Sequence, residues 1–246
     1  MKGTYLILYK QTMIKKKIFL LPCAGASSYM YYIWKEKLRN YFDEIHCIEL
    51  AGRGTRAKDP FYQNLNDAAS DVAEYITDRI SDEEYGIFGH SMGALILFEA
   101  YYKIAENLCK QPKHLFFSGL NAPNEPTQDK EVYKYDNEKF IQFISLLGGL
   151  PEQFKSKWVQ AKFLPILRAD FKIICDYNYI IKPDKINTNI SVLCGNSDIS
   201  INYATIGKWK DFTNKDCTIK IFNGNHFYLN NQFTDLIKYI ESKMKI

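Results

Sequence analysis

The pentapeptide Gly89-His90-Ser91-Met92-Gly93 sets a serine hydroxyl between two residues that carry no side chain. The spacing G-x-S-x-G is weak on its own, since roughly one chain in ten of this length would show it by chance at average glycine usage. Its setting decides the matter. The motif follows the apolar run Tyr85-Gly86-Ile87-Phe88 and opens the helical run Ala94-Leu95-Ile96-Leu97-Phe98. That strand–turn–helix context is the one in which such a serine is lifted clear of a sheet on a strained turn. The chemistry would be nucleophilic attack on an acyl carbon, with the helix N-terminus favouring the negative charge that develops.

A serine hydroxyl needs a base, and the base needs a third group to orient it. The chain has four histidines. His90 should point away at the turn, and His46 and His114 lie in or beside strand runs, where a structural role is expected. His226 remains, in the turn Asn223-Gly224-Asn225-His226 after the last strand run. Chain order Ser, acid, His then asks for a carboxylate in a strand-exit loop before it. Asp198 fits, after Ile190–Cys194 and in the loop Gly195-Asn196-Ser197-Asp198. Glu125, after the run at 114–118, is the second choice. Asp211 and Asp216 read as solvated positions. Two backbone N–H groups should hold the oxyanion: that of Met92, and one from the small-residue loop Pro22-Cys23-Ala24-Gly25-Ala26-Ser27-Ser28. Ala24 is the expected donor there, with Cys23 as the alternative.

The elements that must position these groups alternate in type. Strands are expected at 17–21, 45–50, 85–89, 114–118, 190–194 and 218–222, and Tyr5–Tyr9 would add an edge strand unless residues 1–12 are a loose extension preceding a start at Met13. Helices are expected at 28–39 (capped by Ser27), 66–80, 92–108 and 232–244. Ala69, Val72, Ala73 and Ile76 share one face of the second. Such alternation implies an α/β fold, a mostly parallel sheet flanked by helices in a single domain, 1–246. Residues 121–189 break the rhythm. They are too long for an ordinary crossover, and Phe140, Phe143, Ile144 and Leu147 recur at helical spacing, followed by an apolar stretch from Phe163 to Ile174. A helical lid over the C-terminal edge of the sheet is expected, where sites of such folds lie.

Composition sets bounds on everything else. Apolar residues make up 46% and aromatics 15%, enough for a large core and against disorder. A net charge of +4 is too balanced to suggest nucleic acid, and Lys15-Lys16-Lys17 reads as a solvated strand flank. Cysteines 23, 47, 109, 175, 194 and 217 show neither metal-ligand spacing nor a disulfide framework, so free thiols in a reducing compartment are expected. Neither a signal peptide nor a bilayer-spanning run is evident. A soluble, cytoplasmic, monomeric protein is expected.

Several segments together resemble the type II thioesterases that accompany nonribosomal peptide and polyketide synthases. They are Leu21–Ser27, Glu49-Leu50-Ala51-Gly52-Arg53-Gly54, Phe88–Ala94, Leu146-Leu147-Gly148-Gly149-Leu150-Pro151-Glu152, Leu164-Pro165-Ile166-Leu167-Arg168-Ala169-Asp170-Phe171 and Asn225-His226-Phe227-Tyr228-Leu229. They follow the family's order. Departures stand at Ala51, where proline is usual, at Ala26 and Asn225, where glycine is usual, and in the run Gly195-Asn196-Ser197. The resemblance implies the α/β-hydrolase fold and a discrete enzyme that hydrolyses acyl thioesters on the phosphopantetheine arm of acyl or peptidyl carrier domains. It implies no metal or diffusible cofactor. The competing expectations are a medium-chain fatty acyl thioesterase, a carboxylesterase of the same fold, and a catalytically dead hydrolase fold serving as a binding module.

Overall fold

Apolar runs without alternation build strands that are covered on both faces, and six of them pair here. The computed structural model describes residues 15–245 except 108, 109, 126–128, 149 and 151, so the expected Tyr5–Tyr9 strand and the 1–12 extension lie outside the described residues. The strands are β1 (Lys16–Leu21), β2 (Glu44–Cys47), β3 (Glu84–His90), β4 (His114–Ser118), β5 (Asn189–Gly195) and β6 (Cys217–Phe222). Their order is β2-β1-β3-β4-β5-β6, and every pairing is parallel. β2 is shorter than the run 45–50 suggests. Only the Ile48 N–H, bonded to Leu20 O at 2.9 Å, continues toward β1 before the chain turns off.

Helices fill both faces. They are α1 (Tyr32–Leu38), α2 (Leu65–Thr77), α3 (Met92–Asn107), α4 (Asn137–Leu147), α5 (Lys157–Cys175), α6 (Tyr228–Asn231) and α7 (Phe233–Lys245). The expected helix 28–39 divides into a 3₁₀ turn at Ser28–Tyr31 and α1. α2 starts where the Asn64 side chain accepts the Asp67 N–H at 2.9 Å, and its small apolar face is buried against α3. α3 is buried nearly all round, as its mostly apolar sequence requires. Phe19, Leu21, Ile87, Phe117 and Val192 face the α2–α3 layer, while Ile18, Leu20, Phe88, Phe116 and Leu193 face α1 and α7. The period-two switch between the two clusters is that of a pleated sheet.

Residues 121–189 carry their own small core. Val132, Phe140, Ile144, Phe154, Leu164 and Leu167 pack together, so α4 and α5 form one body rather than a loose loop. The lysine triplet departs from expectation. Lys15 is exposed, but Lys17 is buried, with Nζ donating to Arg79 O at 2.6 Å and paired with Glu83 at 2.9 Å and Glu44 at 3.3 Å. Two carboxylates meet this buried side chain, and the Glu83 carboxyl, bonded by the Ser81 N–H and then by Lys17, falls to about 2.

The exit of β4 is fixed by Trp209, which stacks on Phe117 at 4.4 Å between centroids and donates Nε1–H to Leu120 O at 3.1 Å. Trp209→Ala should cost about 3–5 kcal/mol, read from chemical denaturation. A cost below ~1 kcal/mol would contradict this account of the core.

Candidate active site

The turn after β3 holds Ser91 at φ 54°, the one positive-φ residue other than glycine among the described residues. An L-residue stays there only when its surroundings over-determine it. Here they do. The Ser91 N–H donates to Ser118 O at 2.7 Å, and its carbonyl accepts from Ala94 at 2.9 Å and Leu95 at 3.1 Å. The two flanking glycines allow the crossing: a Cβ on Gly89 would overlap the Gly93 carbonyl, and one on Gly93 would stand 2.5 Å from Leu21 O and 2.6 Å from Pro22 O. The elbow therefore rests directly on the end of β1. Met92 heads α3, so its N–H belongs to the first turn, which has no intrahelical partner.

Asp198 and His226 meet from the loops after β5 and β6. His226 Nδ1–H donates to Asp198 Oδ2 at 2.8 Å, and both residues are buried, 4% and 1% exposed. The other carboxylate oxygen accepts the Ser200 hydroxyl at 2.6 Å and the Ser200 N–H at 3.0 Å. Ser200 Oγ also lies 3.1 Å from His226 Nδ1. Burial alone would raise the Asp198 carboxyl, but its bond to His226, the pull of that imidazole and the Ser200 bonds outweigh burial and hold it below its ordinary value. Tyr203 locks the loop: its hydroxyl donates to Gly195 O at 2.5 Å and accepts the Asp198 N–H at 3.0 Å.

The other candidates fall elsewhere. Glu125 lines the cavity, yet its carboxylate pairs with Lys208 Nζ at 2.6 Å. Asp211 and Asp216 are exposed. His46 sits on the edge strand beside Glu44, and His114 is buried against Ser191 Oγ at 2.8 Å, its burial pulling it down to about 3. His90 does turn away from the cavity lining but not from the site. Its ring packs 4.9 Å from that of His226, with Nδ1 2.9 Å from Ser118 Oγ. Burial, and then the neighbouring His226, push His90 well below its ordinary value, so it backs His226 as a neutral ring. Cys23 is no rival nucleophile, since burial raises its thiol to about 12.

The loop after β1 forms a hydrogen-bonded turn, with Ala26 N–H to Cys23 O at 3.2 Å and Gly25 at φ 75°. Ala24 and Gly25 are its central residues. The Gly25 N–H donates to Asp170 Oδ2 of α5 at 2.7 Å, and Arg53 grips the same carboxylate with its two terminal guanidinium nitrogens at 2.5 and 2.6 Å. Reasoning from spacing assigned no role to Arg53, Asp170 or Ser200. The signal for Asp170 was an acid three residues after Leu167 and three before Ile173, on an apolar helix face, where a charge demands a buried partner.

Ser91 and His226 open onto a cavity of about 280 Å³. Leu95, Val132, Phe143, Leu147, Phe171 and Ile174 give it apolar walls, most of them from residues 121–189. Among the described residues, no group of three His, Cys, Asp or Glu side chains could hold a metal, and no helix is long and apolar enough to cross a membrane. The five described cysteines are free thiols.

A parallel sheet that delivers a serine on such an elbow at the C-terminal edge of a central strand is the α/β-hydrolase fold. Within that class the chain belongs to the thioesterase domain family, which matches residues 16–244, and it is a hydrolase acting on thioesters. It is 30% identical over 234 residues to the gramicidin S biosynthesis protein GrsT of Aneurinibacillus migulanus, covering 94% of this chain and 90% of that one. It is 27% identical over 218 residues to the medium-chain S-acyl fatty acid synthase thioesterase of Rattus norvegicus, covering 87% and 81%. The crystal structure of ClbQ from the colibactin NRPS/PKS pathway superposes with a TM-score of 0.88 at 27% identity, covering 94% of this chain and 97% of that one. The resemblance to type II thioesterases stands.

Two outcomes follow from this geometry. Gly93→Ala should lower kcat by ~10²-fold or more, because the added methyl pushes the elbow off β1 and the Met92 N–H with it; steady-state kinetics on the folded variant would refute this with a change under threefold. Asp198 has a depressed folded pKa, so its contribution to stability is present above the unfolded value of about 3.9 and is lost as pH falls through the lower folded value. Urea unfolding at stepped pH should show wild type losing more stability than Asp198→Asn over that interval. Parallel profiles would contradict the linkage.

Proposed function

We propose that this chain hydrolyses acyl thioesters carried on the phosphopantetheine thiol of acyl or peptidyl carrier domains, removing aberrant or stalled acyl groups in nonribosomal peptide or polyketide biosynthesis. The observation that carries the proposal is a strained serine and an Asp-held histidine at the floor of an apolar cavity, in a chain of the thioesterase family.

Ser91 Oγ attacks the thioester carbonyl while His226 Nε2 takes its proton. Asp198 keeps Nδ1 protonated and faces the imidazolium that forms. The Met92 and Ala24 N–H groups hold the oxyanion of the tetrahedral intermediate. Collapse breaks the C–S bond, and the sulfur leaves with the proton from His226. Water then attacks the acyl-serine, giving a proton to His226 that passes back to Ser91 as the acid departs. No metal or diffusible cofactor enters these steps. The helices of residues 121–189 act as a lid that forms the acyl slot, with a carrier domain docking at its rim. The enzyme works as a cytoplasmic monomer.

The apolar walls also suit a medium-chain fatty acyl group, the substrate class in the rat relative's name. One experiment separates the readings. Carrier proteins loaded with acetyl, aminoacyl or C8–C12 acyl groups are offered to wild type and Ser91→Ala. Hydrolysis of the short and aminoacyl thioesters, lost by about 10⁴-fold or more in Ser91→Ala, is expected. Strong preference for the longest chains would overturn the editing role, and retained activity in Ser91→Ala would overturn the site.

A further inference from the structure

We infer that Asp170 and Arg53 are positioning residues for the oxyanion loop, so that the hole beside Ser91 is set in part by a helix of the inserted segment. The inference rests on Ser91 as nucleophile and on the loop after β1 as the source of one oxyanion donor.

Three observations converge on Gly25. First, Asp170 and Arg53 are almost wholly buried, 2% and 3% exposed, and share a two-toothed ion pair 117 residues apart in sequence. Second, the same Asp170 oxygen that takes one Arg53 nitrogen also accepts the Gly25 N–H at 2.7 Å. Third, Leu167, one turn earlier on α5, lies against the Gly25 α-carbon so closely that a Cβ there would overlap it. Arg53 completes the enclosure by donating to Ala51 O at 3.3 Å and reaching Ala26 O at 3.5 Å.

The turn geometry explains what this accomplishes. A turn closed from Ala26 N–H to Cys23 O with Gly25 at φ 75° is type II, in which the Ala24–Gly25 peptide is rotated relative to type I. In the observed orientation its N–H meets the Asp170 carboxylate. Rotated the other way, its carbonyl oxygen would face that carboxylate. Asp170 therefore selects one of two orientations of the peptide between Ala24 and Gly25, and Ala24 is held with it. Arg53 meets both oxygens of Asp170 and so supplies the partner that a carboxyl in so dry a place requires. A buried ion pair is weak evidence for stability, and its best-attested use is to fix one register. Here the register is that of a catalytic loop.

Asp170→Asn retains an oxygen and the shape but loses the charge. It should lower kcat by ~10- to 100-fold, less than outright loss of a donor costs, with KM within about threefold. Phosphonylation of Ser91 by an alkyl fluorophosphonate should slow by a similar factor, because the phosphoryl oxygen enters the same hole. The inhibition constant of the carboxylic acid product should not move. Arg53→Lys keeps the charge and breaks the fork, and should shift the same readouts in the same direction; it carries the test should Asp170→Asn not fold. A folded variant with kcat within twofold of wild type overturns the inference. So does a parallel loss of kcat, KM and product affinity, which marks general disruption. In either case an inactive Ser91→Ala leaves the assigned nucleophile standing, whereas an active Ser91→Ala removes the site itself.

Discussion

A serine at φ 54° costs the chain on the order of 1–3 kcal/mol, and every part of the site depends on that strain being maintained. It is maintained by backbone against backbone. Gly89 crosses Gly93, and Gly93 lies on the carbonyls of Leu21 and Pro22, so β3, α3 and the end of β1 meet with no side chain between them. The parallel pairing of Leu21 with Gly89 makes the same contact from the sheet side. One crowded point therefore aligns Ser91, the Met92 N–H and the loop that begins at Pro22. Burial of α3 on nearly all sides prevents the elbow from relaxing outward.

A second backbone contact registers the histidine. Gly195, at the end of β5, lies so close to the carbonyls of Gly224 and Asn225 that a Cβ would overlap both. The loops carrying Asp198 and His226 are thus joined before their side chains touch. Asn225 fits here because it needs no positive φ: its side-chain oxygen accepts the Phe227 N–H at 2.9 Å, and its amide lies over Gly148 at the end of α4. Ser200 then fills the remaining acceptor of Asp198, so the carboxylate has little freedom to turn from His226.

The features legible in the sequence were those with a period or a fixed order. Five of the six strands fall within a residue or two of the expected runs, because continuous apolar stretches bounded by turn residues leave little choice. Chain order and loop position single out Ser91, Asp198 and His226, and the structure bonds Asp198 to His226 and sets His226 and Ser91 on one cavity. What escaped was pairing at long range. Lys17 looked like a solvated flank because its partners Glu44 and Glu83 are brought beside it only by the sheet order. His90 was expected to leave the site, since alternation along β3 says which face it takes but not that His226 arrives on that face from 136 residues later. Arg53 and Asp170 each stood in a recognisable segment, yet nothing local links them.

That last pair alters how the inserted helices relate to the chemistry. Besides Ile173, which packs into the main core, two of their contacts with the body lie beside the loop after β1 and beside His226. α5 holds the loop after β1 through Asp170 and Leu167, and the end of α4 lies against Asn225, the residue before His226. The same helices supply Phe143, Leu147, Phe171 and Ile174 to the cavity. On the proposed function, an acyl group that displaced those side chains would push on the helices that hold the loop after β1 and flank His226. A group that fits leaves both in place. On the proposed function, selection of the acyl chain and the rate of its hydrolysis would be two readings of one mechanical arrangement, and the Arg53–Asp170 fork is what makes it stiff, because a bidentate pair in a dry interior has one geometry where an apolar contact has many.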